Sequence, residues 1–257
     1  MGVESCAYLI NTTPKYFYLL PLHITLLHRY STVNWPIFIA TESKELLPEL
    51  EGVTIIELPL DKEAFWDSRA EAVRRLPAHI KYVCPVQEDF LLEGRPMKDV
   101  IVNAIDILES NQDISSLRLM PCPGPIGIET FLDTRWRLLD YAIDSLVFTY
   151  QATIWRRGDY IDFMDVLIQR FPSSQNKMAI KVNFAEIHDG QMILKAFGKK
   201  HLAWPREGSH PNAVYLCPWP YRPTAVVRGT LEPWAAELMK REGFMVKLDL
   251  GPLTSDL

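Results

Sequence analysis

The polar and apolar positions alternate in a way that predicts a regular succession of elements through the first half of the chain. Residues 5–10 (SCAYLI) form a short apolar run, and Phe17, Leu20, Ile24 and Leu27 then recur at helical spacing, giving strand, loop and helix. Pro21 falls inside that helical pattern and predicts a kink or a late start. Residues 35–41 and 53–58 read as the second and third strands, joined by the short acidic piece 43–50. Asp61 is the expected N-cap of a helix that carries Trp66, Ala70 and Val73 on one face and ends before Pro77. A fourth strand at 80–86, a helix with Ile101, Ala104, Ile105 and Leu108 inward, and a fifth strand at 114–120 continue the alternation. Strands alternating with helices predict an α/β, Rossmann-type fold: a largely parallel sheet covered on both faces. Such sheets bind ligands beyond the carboxyl ends of their strands.

The second half is less regular. PCPGPIG at 121–127 reads as a loop, 134–146 as helical and 147–156 as extended. Asp159 is the expected cap of a helix with Ile161, Met164, Leu167 and Phe171 inward, leaving Asp162, Asp165 and Gln169 on its other face. Prolines and aromatics crowd together over 198–223, which predicts ordered loops, and a closing helix is expected at 233–242. Neither an internal repeat nor a low-complexity linker interrupts the chain, so a single domain over 1–257 is expected.

Composition narrows the classes. A chain of 257 residues with 48% apolar and 23% charged residues belongs with ordinary globular proteins. A net charge of −5, with basic residues scattered, leaves no footprint for a polyanion and excludes nucleic acid as the main partner. The N-terminal stretch lacks a basic region followed by a long apolar one, and no run reaches the roughly 18 apolar residues of a membrane helix. The expectation is a cytoplasmic protein without a transmembrane segment. Cys6, Cys84, Cys122 and Cys217 are far apart, which indicates neither a disulfide framework nor a thiolate zinc site.

One stretch asks for a chemical explanation. KYVCPVQEDFLLEGR (81–95) ends a β-prone run with two adjacent carboxylates, Glu88 and Asp89, and returns at once to Phe90, Leu91 and Leu92. Paired carboxylates at a strand end can hold a hard divalent cation, Mg²⁺ or Mn²⁺, which prefers oxygen ligands and shares its shell with substrate phosphates. The Gln87-Glu88-Asp89 element, preceded by FWDSRAEAVRRL (65–76), resembles the metal-binding region of nucleotide-sugar glycosyltransferases of the GT-A fold. The likeness is to small bacterial and large-DNA-virus enzymes in which an Asp-x-Asp element is relaxed to Gln-Glu-Asp. It spans about the first half of the chain.

The resemblance implies a division of labour, with 1–120 binding the nucleotide-sugar (of UDP, GDP or dTDP type) and 121–257 binding a glycan or small-molecule acceptor. It implies that Asp89, with Glu88 beside it, holds the metal, and that Gln87 belongs to the same donor-binding element. Thr12 and Thr13 after the first strand stand where base and ribose would lie, and Glu42 after the second strand matches an acid that contacts the nucleoside. Arg69 would reach the diphosphate, as a guanidinium suits paired phosphate oxygens. No Gly-x-Gly-x-x-Gly follows the first strand, which disfavours a nicotinamide or flavin dinucleotide.

An inverting transferase needs a carboxylate to take the acceptor's proton. Glu186, in apolar company within NFAEIHDG, is the first candidate, with Asp162, Asp165 and Asp189 behind it. His188, His201 and His210 could add a late metal ligand, and Trp204, Trp219, Tyr221 and Trp234 could form an acceptor wall. Two other classes remain in view, a sugar-nucleotidyltransferase and a non-catalytic nucleotide-sugar or carbohydrate-binding protein. The first of these would need a glycine-rich phosphate loop that NTTPKYF (11–17) does not supply.

Overall fold

The computed structural model describes residues 5–59, 64–121, 124–144, 146–172, 186, 189–208, 215–222, 224–227 and 229–244. Its centre is β1 (Cys6–Asn11), in which every residue is buried. Cys6, Tyr8 and Ile10 pack into a cluster shared with α1 (Leu20–Tyr30) and α3 (Lys98–Ser110). Ala7 and Leu9 pack on the opposite face, against α2 (Phe65–Arg74) and, beyond it, α4 (Arg157–Arg170). A strand with helices over both faces must be apolar at successive positions, which is why SCAYLI shows no alternation.

Parallel pairing runs from β3 (Val53–Glu57) through β2 (Ile37–Thr41) and β1 to β4 (Tyr82–Gln87). Next to β4 lies β7 (Thr153–Arg156), antiparallel both to it and to β5 (Ile114–Arg118). The sheet continues through β8 (Lys200–Ala203), parallel to β5, to a short antiparallel edge strand, β6 (Arg137–Leu138). Among the described residues this is an eight-stranded, mostly parallel mixed sheet of order β3-β2-β1-β4-β7-β5-β8-β6. The remaining described elements are α5 (Asp189–Ala196), the hairpin of β9 (Val226–Val227) with β10 (Thr230–Leu231), and α6 (Pro233–Arg241).

Several expectations need correction. Among the described residues of 134–146 no helix forms: Trp136 and Leu139 turn into the core from either end of the short strand β6. Here Asp140 and Asp144 spend their carboxylates on nearby backbone N–H groups, those of Ala142, Ile126 and Asp140, which competes with helix formation. Asp159 does not cap α4, which begins at Arg157; it sits in the first turn, where a carboxylate complements the helix dipole. Within 198–223 the described residues form no long element, and β8 is a strand of four residues. Pro21 lies in the first turn of α1, after a 3-10 helix at Pro14–Leu19, so it marks a late start and not a kink. The expected cap Asp61 lies outside the described residues. No described helix is long and apolar enough to cross a membrane. Cys6 and Cys84 are free and buried, Cys217 is buried, and Cys122 lies outside the described residues.

Where β7 passes into α4, two successive arginines close the ends of two helices. The Arg157 guanidinium donates to Pro77 O at 2.9 Å and Ile80 O at 3.2 Å through Nη1, and to Arg74 O at 3.0 Å and Leu76 O at 2.8 Å through Nη2. These carbonyls lie at and just beyond the C-terminus of α2, where they lack intrahelical donors. Arg156 Nη2 does the same at and beyond the end of α3, reaching Leu108 O at 2.5 Å, Asn111 O at 3.1 Å and Ile114 O at 3.2 Å. We expect Arg157→Ala to lower stability in urea unfolding by about 2–3 kcal/mol. Arg157→Lys should restore little of this, because an ammonium cannot span the same set of carbonyls.

His201 on β8 is buried, bonded through Nδ1 to Ser116 Oγ at 2.8 Å, and held down to about 3 by burial. It therefore stays neutral in the fold while the unfolded chain takes up a proton below about pH 6.5. Its contribution to stability is present above that pH and is lost as pH falls toward 3. His201→Asn keeps a polar partner for Ser116 without titrating. Compared with the parent, this variant should lose less stability on acidification from pH 6.5, by up to about 1.4 kcal/mol per pH unit, measured by urea unfolding at a series of pH values.

Candidate functional site

The carboxyl ends of β1 and β4 lie side by side, with Asn11 and Gln87 in register. From the carboxyl end of β1 the chain leaves through α1 to β2 on one side, and from the carboxyl end of β4 it leaves through α3 to β5 on the other. Crossovers that diverge from adjacent strands leave a crevice between them, the usual ligand position of open α/β sheets. A cleft of about 110 Å³ occupies this place, lined from β1 by Asn11, Thr12, Thr13 and Tyr16, from the end of β2 by Glu42, from α2 by Phe65, Ser68 and Arg69, and from the end of β4 by Gln87 and Glu88. The donor-side residues expected from sequence, Thr12, Thr13, Glu42, Arg69, Gln87 and Glu88, thus come together on one cavity.

The cleft is polar and incompletely satisfied. Asn11 Oδ1 and Thr12 Oγ1 are buried without a hydrogen-bond partner among the described residues. Ser68 Oγ donates to Glu42 across the opening. Arg69 is buried, with its guanidinium carbon 3.4 Å above the Phe65 ring and 5.4 Å from the Tyr150 ring. Its Nη1 donates to Phe65 O at 3.3 Å, and it forms no ion pair among the described residues. Behind Arg69 and Gln87 lies a smaller space bounded by Thr149, Tyr150, Gln151, Trp155 and Tyr160.

The two acids at the end of β4 have different surroundings. Glu88 faces the cleft; burial, and then the neighbouring Asp89, push its carboxyl up to about 8, with Arg69 pulling the other way. Asp89 is not among the residues lining the cleft. Its Oδ2 accepts from Thr224 Oγ1 and from Val226 N at 3.4 Å, and its backbone O accepts from Ala225 N at 3.0 Å. Burial raises its carboxyl too, opposed by these bonds, and Oδ1 is buried without a partner among the described residues. The Tyr16 hydroxyl is raised by burial and by both acids, which puts it within their field.

In the second half of the chain, Glu186 Oε1 accepts from Thr149 Oγ1 at 3.2 Å and Tyr150 N at 3.1 Å, holding the loop that walls the smaller space. Burial raises its carboxyl, and these bonds oppose the shift. Asp162 does not join this group: it is exposed on α4. Asp165 instead pairs with Arg74. His188 and His210 lie outside the described residues, and His201 is a core residue of the sheet, away from the acids. Among the described residues no group of three or more His, Cys, Asp or Glu gathers into a metal-ligand cluster. Trp204, Trp219 and Tyr221 are buried, and of these Trp219 lines a separate hollow beside Trp35; Tyr221 OH bonds Gln151 Oε1 at 2.5 Å, and Trp234 carries Arg222 at 5.0 Å over its ring.

The structure also adds residues that the sequence reading did not single out. Tyr150 and Gln151 come from a stretch read as plain strand, and Thr224 is brought to Asp89 across 135 positions of sequence, a separation that carries no local signal. His23 did carry one, as the single ionisable residue within the apolar run LPLHITLL, and it bonds the backbone of Glu88. No protein-family profile matches the chain, and no curated protein is significantly similar to it.

Thr224 holds its bond to Asp89 in a left-handed backbone conformation, φ 59°, which is strained for a β-branched residue. Thr224→Val retains the strain and removes the hydroxyl, so it should destabilise by about 2 kcal/mol. Thr224→Gly loses the same bond but relieves the backbone, so it should fall short of that loss by about 1 kcal/mol in the same urea titration.

Proposed function

We propose that this chain is a glycosyltransferase that moves a sugar from a nucleoside-diphosphate donor of UDP, GDP or dTDP type to a glycan or small-molecule acceptor, with inversion and with Mg²⁺ or Mn²⁺ as cofactor. The observation that carries the reading is the setting of Arg69: a buried guanidinium without a carboxylate partner among the described residues, lining a cleft at the sheet's switch point beside two adjacent buried acids. A guanidinium so placed suits the paired oxygens of a diphosphate. Asn11, Thr12, Thr13 and the Glu42–Ser68 pair supply hydrogen-bonding groups for a ribose and base. The resemblance of Gln87-Glu88-Asp89 to the relaxed metal element of GT-A enzymes points the same way, as does the mostly parallel sheet.

The acids fit a hard cation in number and kind, because Mg²⁺ is commonly held by one or two carboxylates with phosphates completing its shell. Glu88 would hold it from the cleft and Asp89 through the oxygen that has no partner. When bound, the cation neutralises charge on the departing diphosphate. Arg69 binds the diphosphate and stabilises the charge it gains as the glycosidic bond breaks. Glu186, next to the space bounded by Thr149 and Tyr150, accepts the acceptor hydroxyl's proton, and its raised carboxyl pKa suits that work. A sugar-nucleotidyltransferase fits less well, since Thr13 leads into a 3-10 helix at Pro14–Leu19 with no glycine loop to wrap a triphosphate.

Thermal unfolding with UDP, GDP and dTDP, each with and without Mn²⁺, tests the reading. One nucleotide near a hundredfold its Kd should raise the melting temperature by about 5 °C or more. Arg69→Ala should remove most of the shift, and Asp89→Ala only the part that depends on Mn²⁺. Glu186→Gln should bind as the parent does yet lose transfer by about 100-fold, whereas Asp162→Asn should change neither. If no nucleotide shifts the parent under any condition, the reading fails; binding without transfer from any sugar donor would make the protein a binder and not an enzyme.

A further inference from the structure

His23 is fully buried on α1, between Leu22 and Ile24. Two bonds hold its ring: Nδ1 lies 2.9 Å from the backbone O of Glu88, and Nε2 lies 2.9 Å from the Tyr8 hydroxyl. A carbonyl oxygen can only accept, so Nδ1 carries the proton and Nε2 accepts from Tyr8. The tautomer is therefore set by the chain. Burial holds the imidazole down to about 4, so it keeps this form at neutral pH. Tyr8 is itself fixed, stacked on Trp219 with ring centroids 5.5 Å apart. Any aliphatic residue would fill this core position without the cost of burying a polar ring. What the histidine adds is a directed donor to one atom, the carbonyl of the residue that carries the cleft carboxyl.

We propose that His23 is a positioning residue that sets the orientation of the Glu88–Asp89 turn toward a bound cation. The proposal rests on the reading of the cleft as a cation-assisted diphosphate site. The turn is short, closed by Phe90 N to Gln87 O at 3.2 Å, and it is held from both sides. Thr224, Ala225 and Val226 fix the Asp89 end from the C-terminal segment. His23 fixes the Glu88 end from beneath the sheet, and no other side chain among the described residues bonds that carbonyl. Rotation of the Glu88 peptide would swing both acids, so the donor acts on their geometry without touching a ligand.

The experiment measures, by calorimetry, the dissociation constants of UDP, GDP and dTDP with and without Mn²⁺ for the parent, His23→Leu and His23→Asn. Leucine packs but cannot donate; the asparagine amide N stands where Nδ1 stood and can donate to the same carbonyl. The Mn²⁺-dependent gain in affinity should fall about tenfold in His23→Leu, as loss of one oriented hydrogen bond predicts. The metal-free constant should stay within about twofold, and His23→Asn should recover most of the gain. An unchanged gain in His23→Leu, an equal loss in both variants, or parallel loss with and without Mn²⁺ would each overturn the proposal. A parent that binds no nucleotide would instead show that the underlying reading has failed. Should His23→Leu not fold, ¹⁵N spectra of the parent imidazole decide the point: a neutral Nδ1–H tautomer at pH 7 is expected, and an Nε2–H tautomer overturns the assignment.

Discussion

Glu88 and Asp89 are adjacent in sequence and both withdrawn from water, and two carboxyls in that position cannot both ionise unless donors or positive charge lie against them. Much of the surrounding architecture follows from this constraint. Asp89 obtains donors by drawing in Thr224 and Val226, which brings a distant part of the chain back over the end of β4. An ion pair, Arg222 with Glu93 at 2.8 Å, and the bridge between Leu92 and Tyr221 extend the same contact. Glu88 has Arg69 on the cleft side and no clasp of this kind. One acid is thus engaged by the protein and the other remains available, its charge governed by what enters the cleft.

The cleft exists because of where the sheet changes direction of growth. Parallel pairing of β1 with both β2 and β4 forces the two crossovers apart, and the polar groups at the strand ends have no helix to cover them. Asn11 and Thr12 keep oxygens there with no partner among the described residues, a cost that a protein interior seldom tolerates unless another molecule supplies the bonds. Phe65 and Tyr150, with ring centroids 5.8 Å apart, both pack near the Arg69 guanidinium, shielding it from water and preserving its pull on anions.

The first half of the fold was legible because its signals are local. SCAYLI, Val53–Glu57 and the Ile101–Leu108 stripe each lie within a single period of pattern, and α1 to α3 formed where spacing placed them. Glu88 and Asp89 stood out from the same strands, since ligand positions in open sheets follow strand ends, whereas Thr12 and Glu42 were expected only from the resemblance to GT-A enzymes. Failure began where elements are short and paired at a distance. β6 has two residues and β8 four, too few to show a period, and Asp140 and Asp144 turned an apparent helix into turns. Trp204 and Tyr221 looked like a surface for sugars because aromatic content alone does not distinguish a wall from a core. Thr224 was beyond reach, since only the tertiary fold brings it to Asp89.

The position of β7 has a bearing on how the polypeptide is made. It is synthesised after β5 yet lies between β4 and β5, locked in place by the guanidinium groups of Arg156 and Arg157 on the ends of α3 and α2. A nascent chain that has emerged only as far as β5 therefore has two open strand edges facing a gap, a condition that invites association with other chains. Closure must wait until residue 157 has left the ribosome, so the first half, although its elements form early in sequence, cannot mature alone during translation.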